Sequence, residues 1–151
     1  MKHILISEET NDILKNYLRK TNNLIEIKKT DTVYNAVSSH VDIYVCNILG
    51  NLIVAKEQIE YIDEELKKSK IKYELGNSVL KSEYPNNICY NGVQLGNNFI
   101  HNIKYTDEKI LNIAKENNLN IINVKQGYSK CSITIVDDNS VITFFNNCHT
   151  F

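Results

Sequence analysis

Ile88-Cys-Tyr-Asn-Gly-Val-Gln-Leu-Gly-Asn-Asn-Phe-Ile-His-Asn-Ile103 reads as two short strands, 88–93 and 99–103, around a turn at Leu95-Gly96-Asn97. A helix should follow, capped by Thr106, with Ile110, Leu111, Ile113 and Ala114 on its inner face. Asn117-Asn118 ends it, and residues 119–124 return as a strand. The segment is therefore strand–strand–helix–strand. A linker over 79–87, with the only proline, Pro85, precedes it.

The same plan stands one unit earlier. Residues 42–48 and 52–55 flank a turn at Leu49-Gly50-Asn51. A helix over 57–69 puts Ile59, Ile62 and Leu66 on one face, and 71–75 closes the unit before Gly76-Asn77-Ser78. Downstream, a polar turn at Gln126-Gly127 leads into an alternating hairpin, Ser132-Ile133-Thr134-Ile135-Val136, Asp138-Asn139, Val141-Ile142. Upstream, 2–6 is a strand, and Ser7 reads as an N-cap with Glu8 and Glu9 in the first turn. Ile13, Leu14, Tyr17 and Leu18 recur at helical spacing, 24–27 is a strand and 28–35 a polar loop.

Leu-Gly-Asn thus occurs at 49–51 and 95–97, with Asp138-Asn139 in the corresponding turn about 43 residues on, and spacings of this size mark repeat or propeller architectures. Cys46, Cys89 and Cys131 fall at nearly the same interval on the hairpin strands. The expected organisation is α/β: one domain over 1–145, in units 1–35, 40–77 and 85–125 plus a hairpin over 131–145, then a tail over 146–151.

Composition narrows the function classes. The chain has 151 residues, 42% hydrophobic and 23% charged, enough for one domain with a real core. Lys and Arg number 17 against 18 Asp and Glu, so no net field draws the chain to nucleic acid or anionic lipid. Arg19 is the single arginine, which argues further against phosphate recognition. No apolar run approaches the roughly 20 residues that span a bilayer, and the start lacks a signal-peptide pattern; a cytosolic location is expected. Four cysteines show no Cys-x-x-Cys or zinc spacing, so reduced thiols and no metal are expected. Dinucleotide, P-loop, nucleophile-elbow and zincin motifs are missing, and no cofactor is expected.

Two places carry candidate chemistry. Strand ends beside a glycine turn are where α/β proteins tend to place ligand groups, and Gly127 is followed by Tyr128, Ser129, Lys130 and Cys131. An ammonium at Lys130 would favour the Cys131 thiolate; the plainer reading is a surface lysine beside a buried, inert cysteine. Tyr128 can donate a hydrogen bond, or simply pack with a wet hydroxyl. His40 and Asp42, two apart on an extended chain, would share one face and meet one ligand. The alternative is an aspartate capping a turn beside a solvated histidine.

Ser39-His40-Val41-Asp42-Ile43, Tyr84-Pro85-Asn86-Asn87-Ile88-Cys89-Tyr90-Asn91 and Lys125-Gln126-Gly127-Tyr128-Ser129-Lys130-Cys131-Ser132 together resemble the pentein superfold, the guanidino-group-modifying enzymes. The resemblance covers roughly residues 1–143 and is closest to a bacterial branch without an assigned activity. It implies ββαβ units around a pseudo-fivefold axis carrying the active site. In catalytic members a cysteine thiolate attacks the guanidinium carbon, a histidine moves protons and carboxylates hold the guanidinium.

This chain departs from the pattern. It has three units at most, and the last unit, which brings the nucleophile, is missing. Gly127-Tyr128-Ser129-Lys130 stands where active members carry the histidine. His40-x-Asp42 looks like the His-x-Asp element of arginine deiminases, in a different unit. Cys148 lacks the glycine-rich approach of the nucleophile, and the tail from Phe144 reads as a truncated or frame-shifted end.

The expectation is a partial pentein-type propeller, non-catalytic or degenerate, that binds a small guanidino compound or acts as an interaction module. Its ligand residues would be His40, Asp42, Tyr128, Lys130 and Cys131. The alternative is a fragment of a cysteine-dependent guanidino hydrolase or amidinotransferase whose catalytic units are missing. An incomplete propeller leaves open edges, so homo-oligomerisation through them is expected.

Overall fold

The computed structural model describes residues 2–32, 37–80, 90–124 and 141–144. The elements run β1 (Lys2–Ser7), α1 (Asp12–Arg19), β2 (Asn22–Ile27), β3 (Thr30–Asp31), β4 (Val37–Ser38), α2 (Val41–Tyr44), β5 (Val45–Ile48) and β6 (Asn51–Val54). Then come α3 (Lys56–Lys68), β7 (Tyr73–Leu75), β8 (Tyr90–Leu95), β9 (Asn98–Thr106), α4 (Glu108–Glu116), β10 (Asn120–Asn123) and β11 (Val141–Phe144). The fold is mixed α/β, with small sheets ordered β11-β1-β2, β5-β6-β7 and β10-β9-β8, and a two-stranded β3-β4 ribbon. Among the described residues these sheets do not close into a barrel or a propeller.

Two segments have matching connectivity. In one, β5 pairs antiparallel with β6, and α3 carries the chain across to β7, parallel to β6. In the other, β8 pairs antiparallel with β9, and α4 carries it to β10, parallel to β9. Both helices end alike. Lys70 (φ +58°) and Asn118 (φ +57°) take the left-handed conformation just past the caps Ser69 and Asn117. Ile71 N then donates to Leu66 O (2.9 Å) and Leu119 N to Ala114 O (3.0 Å), the six-to-one bond of a Schellman ending. Lysine is strained there where glycine is not. Lys70→Gly is expected to raise stability by about 0.5–1 kcal/mol in urea melts, because the residue is exposed and the backbone already demands φ > 0.

The two hairpin turns differ by one residue. Ile48 pairs with Asn51, leaving Leu49 (φ +52°) and Gly50 (φ +75°) as a two-residue turn. Leu95 pairs with Asn98, so the second turn is Gly96-Asn97, and Gly96 (φ +60°) holds the place that Leu49 holds in the first. The two Leu-Gly-Asn triplets are thus not structurally equivalent.

Other boundaries shift for local reasons. Helix α1 is capped by Asn11, whose side chain accepts from Ile13 N at 2.8 Å; Ser7 ends β1 instead. Asp107, not Thr106, caps α4, accepting from Lys109 N at 2.8 Å. Residues 42–44, expected to open a strand running to 48, belong instead to the short helix α2 (Val41–Tyr44), before β5 begins. Residues 28–35, expected as loop, contribute β3. The first strand is flanked on both sides by parallel neighbours, β2 through α1 and β11 from the far end of the described chain. The rest of the 131–145 hairpin, the linker around Pro85 and the tail over 146–151 lie outside the described residues.

The core lies between the sheets and α3 and α4. Ile53, Val54, Ile62, Leu66, Phe99 and Ile110 are all at most 1% exposed. Helix α3 presents Gln58, Ile62 and Leu66 inward, four residues apart. Gln58 belongs to that row because it clamps the backbone beyond β2: its Nε2 donates to Lys28 O (2.6 Å) and its Oε1 accepts from Lys28 N (3.2 Å).

Candidate functional site

Ligand groups in parallel sheets gather beyond the carboxyl ends of the strands. Here β1 ends at Ser7 and β2 at Ile27, and Glu8 N donates to Ile27 O (3.0 Å), tying the two ends together. The segment leading into α2 packs its polar side chains onto this end. Ser7 Oγ and Ser39 Oγ lie 2.6 Å apart, both buried. Ser39 Oγ donates to Glu9 Oε2 (3.1 Å), so the proton between the two serines is donated by Ser7. Ser7 Oγ in turn accepts from Glu9 N (3.1 Å). Lys29 Nζ pairs with the other Glu9 oxygen at 2.8 Å. The hydrogen bond from Lys29, then that from Ser39 and the charges of Lys29 and His40, hold the Glu9 carboxyl below its usual range, against a contribution from burial. Nearby Thr10 is buried, and its Oγ1 has no hydrogen-bond partner among the described residues.

Helix α2 is buried throughout and packs on β1, β8 and β11. Tyr44 anchors it. Its hydroxyl donates to Ser38 O (2.6 Å) and accepts from Thr30 Oγ1 (2.7 Å), and burial pushes its pKa up to about 12. Asp42 is 1% exposed, one residue inside the helical turn, where a carboxylate also favours the helix N-terminus. His40 is half-buried with an extended backbone (φ −67°, ψ 123°), its N–H donating to Ser38 Oγ at 3.1 Å. The two therefore do not share one face of an extended strand. Helical geometry from Val41 onward breaks the period-of-two alternation on which that reading rested. Tyr128, Lys130 and Cys131 lie outside the described residues.

Ser7, Glu9, Lys29 and Ser39 were not singled out as site residues by sequence. The only signal was a strand followed at once by a polar quartet, Ser7 to Thr10, and that pattern also fits a helix cap. Cys46 has a place on β5, fully buried, with its thiol 3.6 Å from Gly92 O. No cluster of three or more His, Cys, Asp or Glu able to hold a metal occurs among the described residues. No described helix is long and apolar enough to cross a membrane.

His101, on β9, is a packing histidine. It is 2% exposed, stacks on Phe99 (ring centroids 6.0 Å, 21°) and lies 3.3 Å from Thr106 Oγ1 through Nδ1. Burial, then the charge of Lys115, hold its pKa below the ordinary value. The unfolded chain therefore takes up this proton first. Stability from the neutral ring is complete above about pH 6.5 and falls as pH drops towards the folded value. Thermal melts between pH 7.5 and 5 should show that decline, and His101→Gln should flatten it.

The profile of a family of unknown function, DUF6873, matches residues 5–149, and the chain belongs to that family. No curated protein and no solved structure matches the chain at a significant level.

Proposed function

We propose that this chain is a pentein-type module without catalysis of its own, binding a small guanidino compound beside α2. The observation that carries the reading is Asp42: a carboxylate buried to 1% exposure on a four-residue helix that meets β1, β8 and β11. A guanidinium is weakly hydrated and forks onto carboxylates, so a buried carboxylate between sheets is the group it requires. His40, Tyr128, Lys130 and Cys131 complete the proposed ligand set on the strength of the pentein resemblance, and a cytosolic location goes with it.

The partial-propeller architecture is supported by the matching ββαβ connectivity and by how the two segments meet. Leu49 N donates to Gln94 Oε1 (2.7 Å), and the Cys46 thiol reaches Gly92 O, so the first strands of both segments face each other. Strands β7 and β10 end their sheets, with Leu75 52% and Ile122 39% exposed. Such edges favour open-ended association of copies. The burial of Cys46 argues against that thiol as a nucleophile.

The test is thermal melting and calorimetry with agmatine and arginine, with cadaverine as a cation lacking the guanidino group. Agmatine at 100 times its Kd would stabilise the chain by about 2.7 kcal/mol, and Asp42→Asn should remove that response while remaining folded. Equal responses to cadaverine, or none to any guanidino compound, would overturn the reading. Release of ammonia or urea during incubation would replace the binding module with an enzyme.

A further inference from the structure

A helix of four residues is a single turn, and one turn fixes more backbone than its own bonds return. The shape of α2, and with it the place of Asp42, is therefore imposed from outside the helix. The Tyr44 hydroxyl donates to Ser38 O (2.6 Å) and so closes residues 38–44 into a loop. Near its start the loop is held by Ser39, whose Oγ lies 2.6 Å from Ser7 Oγ and donates to Glu9. At its end Tyr44 O accepts from Ala55 N (2.7 Å). Inside it, Ser38 Oγ accepts from His40 N and His40 O accepts from Ile43 N, both at 3.1 Å. His40 and Asp42 are thus carried by a loop fastened at both ends.

The Tyr44 hydroxyl is the fastening that joins those two ends to each other. It also ties the loop to the β3–β4 ribbon, because Thr30 on β3 donates to it through Oγ1 (2.7 Å) and Ser38 ends β4. The ring is fully buried, so loss of the hydroxyl leaves the Ser38 carbonyl short of this donor without changing the packing around the ring.

We propose that Tyr44 is a positioning residue for the guanidino site, its hydroxyl holding the Asp42 carboxylate in place so that the ligand need not order the loop. This rests on the reading of Asp42 as the carboxylate that takes the guanidinium. A planar guanidinium makes two parallel hydrogen bonds to a carboxylate, which rewards a carboxylate of fixed orientation. A loop ordered in advance gains affinity because binding then costs less conformational freedom.

The test is calorimetry with agmatine on the full chain, below the melt of every variant, in wild type, Tyr44→Phe, Thr30→Val and the double variant. Tyr44→Phe keeps the ring and should raise the agmatine Kd about tenfold. Thr30→Val, on the ribbon and outside the proposed ligand set, should raise it about twofold or more, and should add little to Tyr44→Phe because both act through one hydroxyl. Hydrogen exchange at the Ile43 and Val45 amides, which close the turn of α2, should quicken in Tyr44→Phe and slow again with saturating agmatine. A structural role alone would lower the melt and leave the Kd of the folded chain unchanged. Wild-type binding that Tyr44→Phe matches therefore overturns the proposal and leaves the Asp42 reading standing. So do additive Kd effects of the two substitutions, or α2 exchange that Tyr44→Phe leaves unchanged. Should Tyr44→Phe fail to fold, an agmatine Kd unmoved by Thr30→Val overturns it as well. A wild type that takes up no guanidino compound overturns both readings together.

Discussion

Gly92→Val is expected to cost more than 3 kcal/mol of stability, and Gly92→Ala about 1–3 kcal/mol, the range for overpacking a filled core. A Cβ added at Gly92 would overlap the Phe99 ring, which lies across the glycine from the neighbouring strand. Neither side can give way easily. Phe99 is fully buried and stacked on His101, and the Gly92 carbonyl faces the Cys46 thiol on β5. The register also slips between Tyr90 and Gly92, so the strand is already irregular at this point. An aromatic ring laid over a strand glycine covers backbone that would otherwise be bare, and here it locks β9 onto β8 within one hairpin. Phe99→Ala alone should cost about 3–5 kcal/mol through the cavity it leaves. Because ring and Cβ compete for one volume, the Gly92→Ala, Phe99→Ala double variant should be more stable than the summed losses by about 0.5–3 kcal/mol. Urea melts of the four chains measure that coupling; strict additivity would mean that the ring does not rest on Gly92.

The features legible in the sequence are those written locally. Glycines at 50 and 96 between apolar runs announce hairpins, and the i, i+4 spacing of Ile62 and Leu66 announces the inner face of α3. The one-residue offset between the turns was not legible, because Leu49 occupies a left-handed position that its residue type disfavours. Val41-Asp-Ile-Tyr44 reads as extended, with β-branched and aromatic residues in alternation. Tertiary contacts override that preference: all four residues are buried, and the Tyr44 hydroxyl fixes the turn against Thr30 and Ser38. The spacing of Ile13, Leu14, Tyr17 and Leu18 announced a helix, but how α1 is turned depends on the ion pair of Lys15 with Glu26 on β2, which no local pattern reveals. The parallel pairing of β11 with β1 joins residues from opposite ends of the described chain and leaves no periodic trace.

The candidate site shows the same division. Residue type was enough to single out His40 and Asp42, but their shared face depended on a strand that is a helix. The Ser7, Ser39, Glu9 and Lys29 network comes from three separate stretches converging on one strand end. Hydroxyls and carboxylates are common on any surface, so only convergence distinguishes these. Burial makes the difference physical: Ser7 and Ser39 satisfy each other where water does not reach, and Glu9 is held ionised by its donors.

Asn77→Asp should be the most pH-sensitive substitution, costing about 3–5 kcal/mol at pH 7, as for other uncompensated buried charges. Asn77 Nδ2 donates to both oxygens of Asp107, at 3.0 and 3.1 Å, while Asp107 caps α4 at 1% exposure. The Asn77 carbonyl accepts from the Tyr90 hydroxyl (2.5 Å) and from Lys56 N (3.5 Å), so one residue joins the starts of α3, β8 and α4. Neighbouring Gly76 has no room for a Cβ beneath that hydroxyl. Burial already holds the Asp107 carboxyl above its usual range, opposed by the donors from Lys109 and Asn77. Alanine at 77 removes only the amide and should cost about 1–3 kcal/mol, the penalty for a buried acceptor left short of a donor. Aspartate replaces the donor with a second carboxylate at about hydrogen-bond distance, and two such groups cannot both ionise. The folded pair then holds a proton that the unfolded chain releases near pH 4. Its stability deficit therefore grows as pH rises above about 4 towards the raised value of the pair, and shrinks as pH falls back towards 4. Urea melts at pH 7 and 4.5 separate the cases: Asn77→Asp should recover at the lower pH relative to Asn77→Ala. Equal losses at both would mean that Asp107 is not the buried partner of residue 77, and Asn77 would then join the two ββαβ segments through its carbonyl and not its amide.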